Sequence, residues 1–149
     1  MKKTAPEVAV TPAGVMLRFA AMTYDLLLLM ALWFIIGAVF VAVNGGESIS
    51  PHNPLLPSLL FIASFWFYSY FWRRGGQTLG MRAWRLRLIN TTGKPLSLTQ
   101  CLLRFMCAIP SLAIFGLGYF WLWFDKDKQT WHDKFSETKV IQEPKTKKA

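Results

Sequence analysis

LLLLMALWFIIGAVFVAV, residues 26–43, contains no charged side chain. At ~1.5 Å per helical residue the run is about 27 Å long, close to the ~30 Å hydrocarbon thickness of a bilayer. It reads as a transmembrane helix. The helix starts earlier than the run, because residues 14–25 (GVMLRFAAMTYD) hold no breaker after Gly14 and continue the apolar pattern. This first part carries Arg18 and Asp25, about two helical turns apart and therefore on nearly one face. An ionisable group near the bilayer centre costs on the order of 2.5–3.5 kcal/mol, so such groups turn toward protein or a water-filled cavity.

Working outward, residues 1–13 hold Lys2, Lys3, Pro6 and Pro12 and are expected to form a disordered tail. The basic residues Lys2, Lys3 and Arg18 favour a cytoplasmic N-terminus. Residues 44–57 (NGGESISPHNPLLP) contain turn formers, one Glu and neither Lys nor Arg, which suits an outer loop. Residues 55–72 (LLPSLLFIASFWFYSYFW) form a second span with an aromatic end, stopped by Arg73 and Arg74 on the cytoplasmic side. A glycine-rich turn (75–82) leads into residues 83–90, where Trp84, Leu86 and Leu88 alternate with Arg85 and Arg87. Period two predicts a half-buried strand, and the turn at residues 91–95 predicts a small cytoplasmic β-hairpin over residues 83–97.

A helix is expected over residues 99–109, broken at Pro110, with Arg104 inside it. Residues 111–124 are again apolar. Residues 138–142 (TKVIQ) suggest a short strand, and residues 143–149 a basic disordered tail. A third continuous span through residues 105–124 would carry Lys126, Lys128, Lys134, Lys139, Lys145, Lys147 and Lys148 to the outer side, against the positive-inside tendency. A Pro-bent re-entrant hairpin avoids that inversion, since each arm of ~17–21 Å reaches only mid-depth. It also leaves residues 138–142 free to join the strand at 84–90. The expected fold is thus a polytopic membrane all-α protein: two transmembrane helices, a re-entrant helical hairpin (or third span), and a cytoplasmic β-hairpin, with the membrane domain spanning residues 14–142.

Composition agrees. Hydrophobic residues make up 53% of the chain and aromatics 15%, including seven Trp, clustered in the apolar runs. The formal charge of +9 sits in the segments flanking those runs, the ordinary pattern for membrane loops rather than a nucleic-acid footprint. The first apolar run is too long for a signal-peptide core and no small-residue cleavage site follows it. Cys101 and Cys107 lack metal-ligand spacing, and no disulfide framework, metal site or cofactor is indicated. Residues 75–80 have neither the lysine nor the spacing of a nucleotide loop. His132 and Asp133 are adjacent, so their side chains diverge, and no nucleophile motif accompanies them. An enzyme is not expected.

Taken in order, Arg18 and Asp25 on the first helix, GQTLGMR at 76–82, the strand with its Gly93 turn, and TWHDK at 130–134 before Val140 resemble the RDD family of small bacterial membrane proteins. The family is named for one arginine and two aspartates. The resemblance covers residues 14–141 and implies that Arg18 is the arginine and Asp25 the first aspartate. The second is Asp133 or Asp125, with Asp133, beside His132 and after Thr130, the closer match. Trp131 stands where a smaller apolar residue is more usual. The family implies a bacterial inner (cytoplasmic) membrane location and suggests transport.

The residues leave three roles open. Asp25 is a relay in a solute pathway, or an interface charge anchoring the helix. Arg18 binds lipid phosphate, or pairs with Asp125 or Asp133. Arg104 pairs with an acid or snorkels to the headgroups, snorkelling being the default. The leading expectation is transport of an ion or small solute through an Arg18/Asp25/Asp133 charge cluster, with the lipid bilayer and further copies or another membrane protein as partners. The rival is a non-transporting assembly protein in which the same charges are structural.

Overall fold

The computed structural model describes residues 11–114 and 116–145. Its first long helix, α1, spans Val15–Val43, and its second, α2, Leu55–Gly75; both are long and apolar enough to cross a membrane. α2 runs past its last apolar residue and takes Arg73 and Arg74 into its final turn, where cations meet the negative end of the helix dipole.

These helices are inside-out relative to water-soluble ones. On α1 the buried stripe is Val15, Arg18, Ala21, Asp25 and Leu29, whereas Leu26, Leu27, Met30, Phe34, Ile35 and Val39 are exposed. On α2 Ser64, Phe67, Ser69 and Trp72 are buried while Leu59, Phe61, Ile62 and Trp66 face outward. Water would drive the opposite sorting; lipid accepts the apolar face and leaves polar groups to find partners inside. Beyond Leu29 the two helices are tied by Trp33, whose Nε1 donates to Ser64 Oγ at 2.9 Å.

The turn after α2 is built residue by residue. Gly76 adopts the left-handed conformation (φ 67°) that ends α2, and a Cβ there would run into the Leu88 carbonyl. Its own carbonyl accepts the Leu88 N–H at 2.6 Å, and Gln77 Nε2 donates to the Leu86 carbonyl at 2.8 Å. Thr78 then caps a one-turn helix, α3 (Leu79–Ala83), by accepting the Met81 N–H at 3.2 Å.

The expected β-hairpin is not what forms. Three strands, β1 (Thr11–Pro12), β2 (Leu86–Asn90) and β3 (Thr138–Gln142), make an antiparallel sheet in the order β1-β3-β2, with Leu88 opposite Val140 and Thr11 opposite Gln142. Leu86 and Leu88 are buried as their alternation predicts, but Trp84 precedes the strand and is exposed. Leu96–Ser97 cannot return as a strand. Ser97 is committed to a capping box with Gln100, which starts the fourth helix, α4 (Leu98–Ala113). β2 therefore takes its partner from the far end of the chain. Residues 11–13, expected in the tail, are structured, and Ala13 is fully buried with its N–H donated to the Val140 carbonyl at 3.1 Å. Residues 1–10 and 146–149 of the two expected tails lie outside the described residues.

α4 continues through Pro110, so the bend falls three residues later than expected. A proline in the last turn forfeits one hydrogen bond, and the Pro110 carbonyl still accepts the Ile114 N–H at 3.0 Å. After α4 come α5 (Leu117–Phe120) and a 3-10 turn, Trp121–Trp123. Gly118 lies so close to Ser111 that a Cβ would be 2.6 Å from the Ser111 Cβ, which holds the two arms together. α4 is inside-out as well: Cys101, Arg104 and Ser111 are buried, and Leu102, Leu103, Met106 and Ile109 are exposed. A last short helix, α6 (Trp131–Phe135), leads into β3. The pairing of β3 with β2 brings residues 138–142, Lys139 among them, back beside the segment that follows Arg73–Arg74.

Candidate functional site

Asp133 is the hub. Thr130 caps α6 and Asp133 is its third residue, so the carboxylate reaches back to the Thr130 N–H at 3.2 Å while the Thr130 hydroxyl accepts the Asp133 N–H at 3.4 Å. From α1, Arg18 Nη1 donates to Asp133 Oδ2 at 2.6 Å, and from α4, Arg104 Nη1 donates to Oδ1. The three side chains are 4%, 8% and 0% exposed for Arg18, Arg104 and Asp133. Arg18 spends its remaining donors on backbone, with Nε donating to the Ala13 carbonyl at 3.1 Å and Nη2 to the Lys128 carbonyl at 3.4 Å. Arg104 Nη1 also donates to Thr138 Oγ1 at 3.1 Å, and its guanidinium stacks over Trp72 at 5.4 Å. One carboxylate thereby joins α1, α4, α6 and the start of β3. Burial alone would raise the Asp133 carboxyl, but the guanidiniums of Arg104 and Arg18 outweigh it and hold the group well below the usual carboxylate range.

Asp25 occupies a separate centre. Its Oδ2 accepts the Thr78 hydroxyl and its Oδ1 accepts the Gly80 N–H at 2.8 Å. The approach is close because a Cβ on Gly80 would strike the Ala21 carbonyl oxygen and stand 2.9 Å from the Asp25 carboxylate. Asp25 is thus neither an exposed anchor nor a partner of Arg18; it clamps α3 onto α1.

Between the two centres lies a cavity of about 170 Å³, whose wall includes Arg18, Asp25, Tyr68, Trp72, Arg104 and His132. His132 is 1% exposed. Its Nε2 lies 3.0 Å from Thr130 Oγ1, its Nδ1 has no partner among the described residues, and its ring packs on Tyr119 with centroids 4.7 Å apart. Burial, followed by the Arg104 charge, pushes the imidazole down to about 3. The ring is neutral, so its 3.9 Å approach to Asp133 is no ion pair.

Of the four charges expected to cluster, Arg18 and Asp133 meet directly, and Asp25 shares with Arg18 a cavity that Asp133 does not line. Asp125 does not join them. It pairs with Lys134 and accepts the Gln129 N–H at 3.0 Å, and the Lys134 hydrogen bond holds its carboxyl low. Arg104, expected to snorkel, is the second cation of the hub. Its signal was an arginine on the same helical face as Cys101 and Ala108 in an otherwise apolar helix. Thr78 and Gly80 carried no charge to mark them. Among the described residues no group of His, Cys, Asp and Glu could hold a metal ion.

The depressed His132 value makes stability pH-dependent. The unfolded ring takes up a proton near 6.5 and the folded ring only near 3, so the contribution is complete above about 6.5 and is lost as pH falls toward about 3. The slope approaches ~1.4 kcal/mol per pH unit at most. Melting midpoints in detergent should therefore fall between pH 6.5 and 4, before Asp133 adds its own loss at lower pH. His132→Gln should flatten that limb; an unchanged limb would mean that His132 titrates normally.

Two helices able to span a bilayer, polar groups sorted to the inside and lipophilic side chains to the outside define a helical membrane protein. The chain belongs to the RDD family, whose sequence model matches residues 12–137. No curated protein and no solved structure matches it.

Proposed function

We propose that the chain is a transport-type protein of the bacterial inner membrane that moves an ion or small solute, with no catalytic role. The observation that carries this reading is the cavity between α1, α2 and α4, because Arg18 and Asp25 both stand on its wall. A buried carboxylate and a buried guanidinium facing one void are what a solute site near a membrane surface requires. In this arrangement the N-terminus, the sheet and the C-terminal segment are cytoplasmic, residues 26–43 of α1 cross the bilayer, and the α4–α5 hairpin enters and leaves the cytoplasmic leaflet. Its outward Leu102, Leu103, Met106 and Ile109 suit that depth. Two spans enclose little pathway, so the working unit is an oligomer.

The rival role, a structural lock in an assembly protein, draws support from the saturation of Asp133, which two guanidiniums and a backbone N–H already occupy. Asp25→Asn separates the two. The transport reading expects a folded, inserted protein with flux in proteoliposomes reduced about tenfold or more, equivalent to ~1.4 kcal/mol on the barrier. Unchanged flux of every tested ion and solute in a stable variant would reject it. A compartment-sensitive reporter fused after Ala149 checks the topology, and an external C-terminus would break it.

A further inference from the structure

The cavity has a chemical bias. Two guanidiniums, Arg18 and Arg104, share the single Asp133 carboxylate, which leaves positive charge in excess at the hub end of the cavity. Asp25 balances that charge over the cavity as a whole, but it is held by Thr78 and Gly80 at the other centre, so the cavity has a positive end and a negative end. His132 adds a buried ring nitrogen, Nδ1, with no partner among the described residues. The Thr130 hydroxyl oxygen accepts the Asp133 N–H, and the acceptor within its reach for its own proton is His132 Nε2 at 3.0 Å. That arrangement puts the imidazole proton on Nδ1, as a buried donor without an acceptor. The rest of the wall is apolar and aromatic: Met22, Tyr68, Trp72, Phe105 and Ile109. Ile109 is half-exposed and Met22 and Ala108 partly so, which sets the mouth between α1 and α4 with an apolar rim.

We propose that this cavity binds a small organic carboxylate with an apolar body, the anionic end held by His132 and the excess guanidinium charge and the body by the aromatic wall. An inorganic anion would leave the apolar wall unfilled. A neutral apolar molecule would leave the Nδ1–H and the excess guanidinium charge at the hub end unanswered. The proposal rests on the solute-site reading above and names the ligand class for it.

Radiolabelled benzoate is the probe, measured by equilibrium dialysis against the purified full chain in detergent, with empty micelles subtracted. Saturable retention is expected, with neither benzyl alcohol nor inorganic phosphate competing at about tenfold excess. Ala108→Phe and Ile109→Trp, which crowd the mouth, should each weaken binding about tenfold or more while the protein stays folded. Absence of saturable binding, or equal competition by benzyl alcohol or by phosphate, would overturn the proposal. So would binding untouched by a folded mouth variant. Should both variants unfold, the competition on the unaltered protein still decides. Dialysis needs no transport: benzoate bound without flux of any solute would reject the transport reading alone. Flux of another solute without benzoate binding would reject this proposal alone.

Discussion

Asp133→Asn should destabilise the protein by about 3–5 kcal/mol, the cost of leaving buried charge uncompensated, and here two guanidiniums are left rather than one. The asparagine keeps the shape, but its one oxygen can accept from only one of the two arginines and its NH2 faces the other's N–H, so the loss reports charge and one hydrogen bond rather than a hole. The stoichiometry makes a sharper statement possible. Because two arginines face one acid, Arg104→Leu leaves a balanced Arg18–Asp133 pair, whereas Asp133→Asn leaves an unbalanced pair of cations. Arg104→Leu should therefore cost less than Asp133→Asn, despite losing the Thr138 hydrogen bond and the Trp72 stacking. In the Asp133→Asn background the same substitution should relieve repulsion, giving a coupling energy of roughly 0.5–3 kcal/mol. Reversible unfolding in mixed micelles, followed by tryptophan fluorescence, measures all four corners. If Asp133→Asn unfolds within about 0.5 kcal/mol of the unaltered protein, the hub is not what holds the cytoplasmic elements to α1.

The parts legible in the sequence were those with a one-dimensional signature. An uncharged stretch as long as a bilayer is thick, residues 26–43, has no other economical reading, and the alternation of Leu86 and Leu88 marked one strand. Charge bias put the lysines after residue 125 on the side of Arg73 and Arg74; of these, Lys139 lies in β3, paired with β2. The errors concern partners. The strand at 86–90 looked as though it would pair with the nearest downstream segment, but Ser97 and Gln100 close a capping box there, and the partner lies some fifty residues further on (Leu88 opposite Val140). Pro110 looked like the bend because proline breaks helices in water. In α4 the helix runs on to Ala113.

The site was legible to the extent that it is charged. Arg18 and Asp25 stood out because ionisable groups on an apolar helix must be satisfied internally, whereas Asp133 and Asp125 came only from the resemblance to the RDD family. Asp125 proved to be a local ion pair with Lys134. Sequence order could not decide between two aspartates that close together in the chain. Nor could it show that Asp25 is answered by a hydroxyl and a backbone N–H rather than by Arg18, because neither donor has a charge to announce it. His132 was set aside as a catalytic residue on the ground that neighbours diverge. That geometry is also what turns Asp133 to the arginines while His132 packs against Tyr119.

Gly80→Ala should be the most damaging change that adds a single methyl group, at about 3 kcal/mol or more, the upper end of overpacking costs. The obstacle is the Ala21 carbonyl oxygen on the backbone of α1, which cannot swing aside as a side chain would, and the Asp25 carboxylate blocks the other direction at 2.9 Å. Moving α3 away to make room breaks the 2.8 Å bond from the Gly80 N–H, which leaves a buried carboxylate oxygen unanswered. Gly75→Ala is the internal control. It lies in the last turn of α2 with nothing within 4 Å of the added carbon, and should be neutral or stabilising by up to ~1 kcal/mol. The pair also tests what the contact is for. If Gly80 exists to let Asp25 reach α3, then Asp25→Asn should cost much less in the Gly80→Ala background than alone, since the bond it weakens has already gone. Additive losses would mean that Gly80 is kept for helix packing alone, and that Asp25 is retained at the cavity for the solute rather than for the clamp.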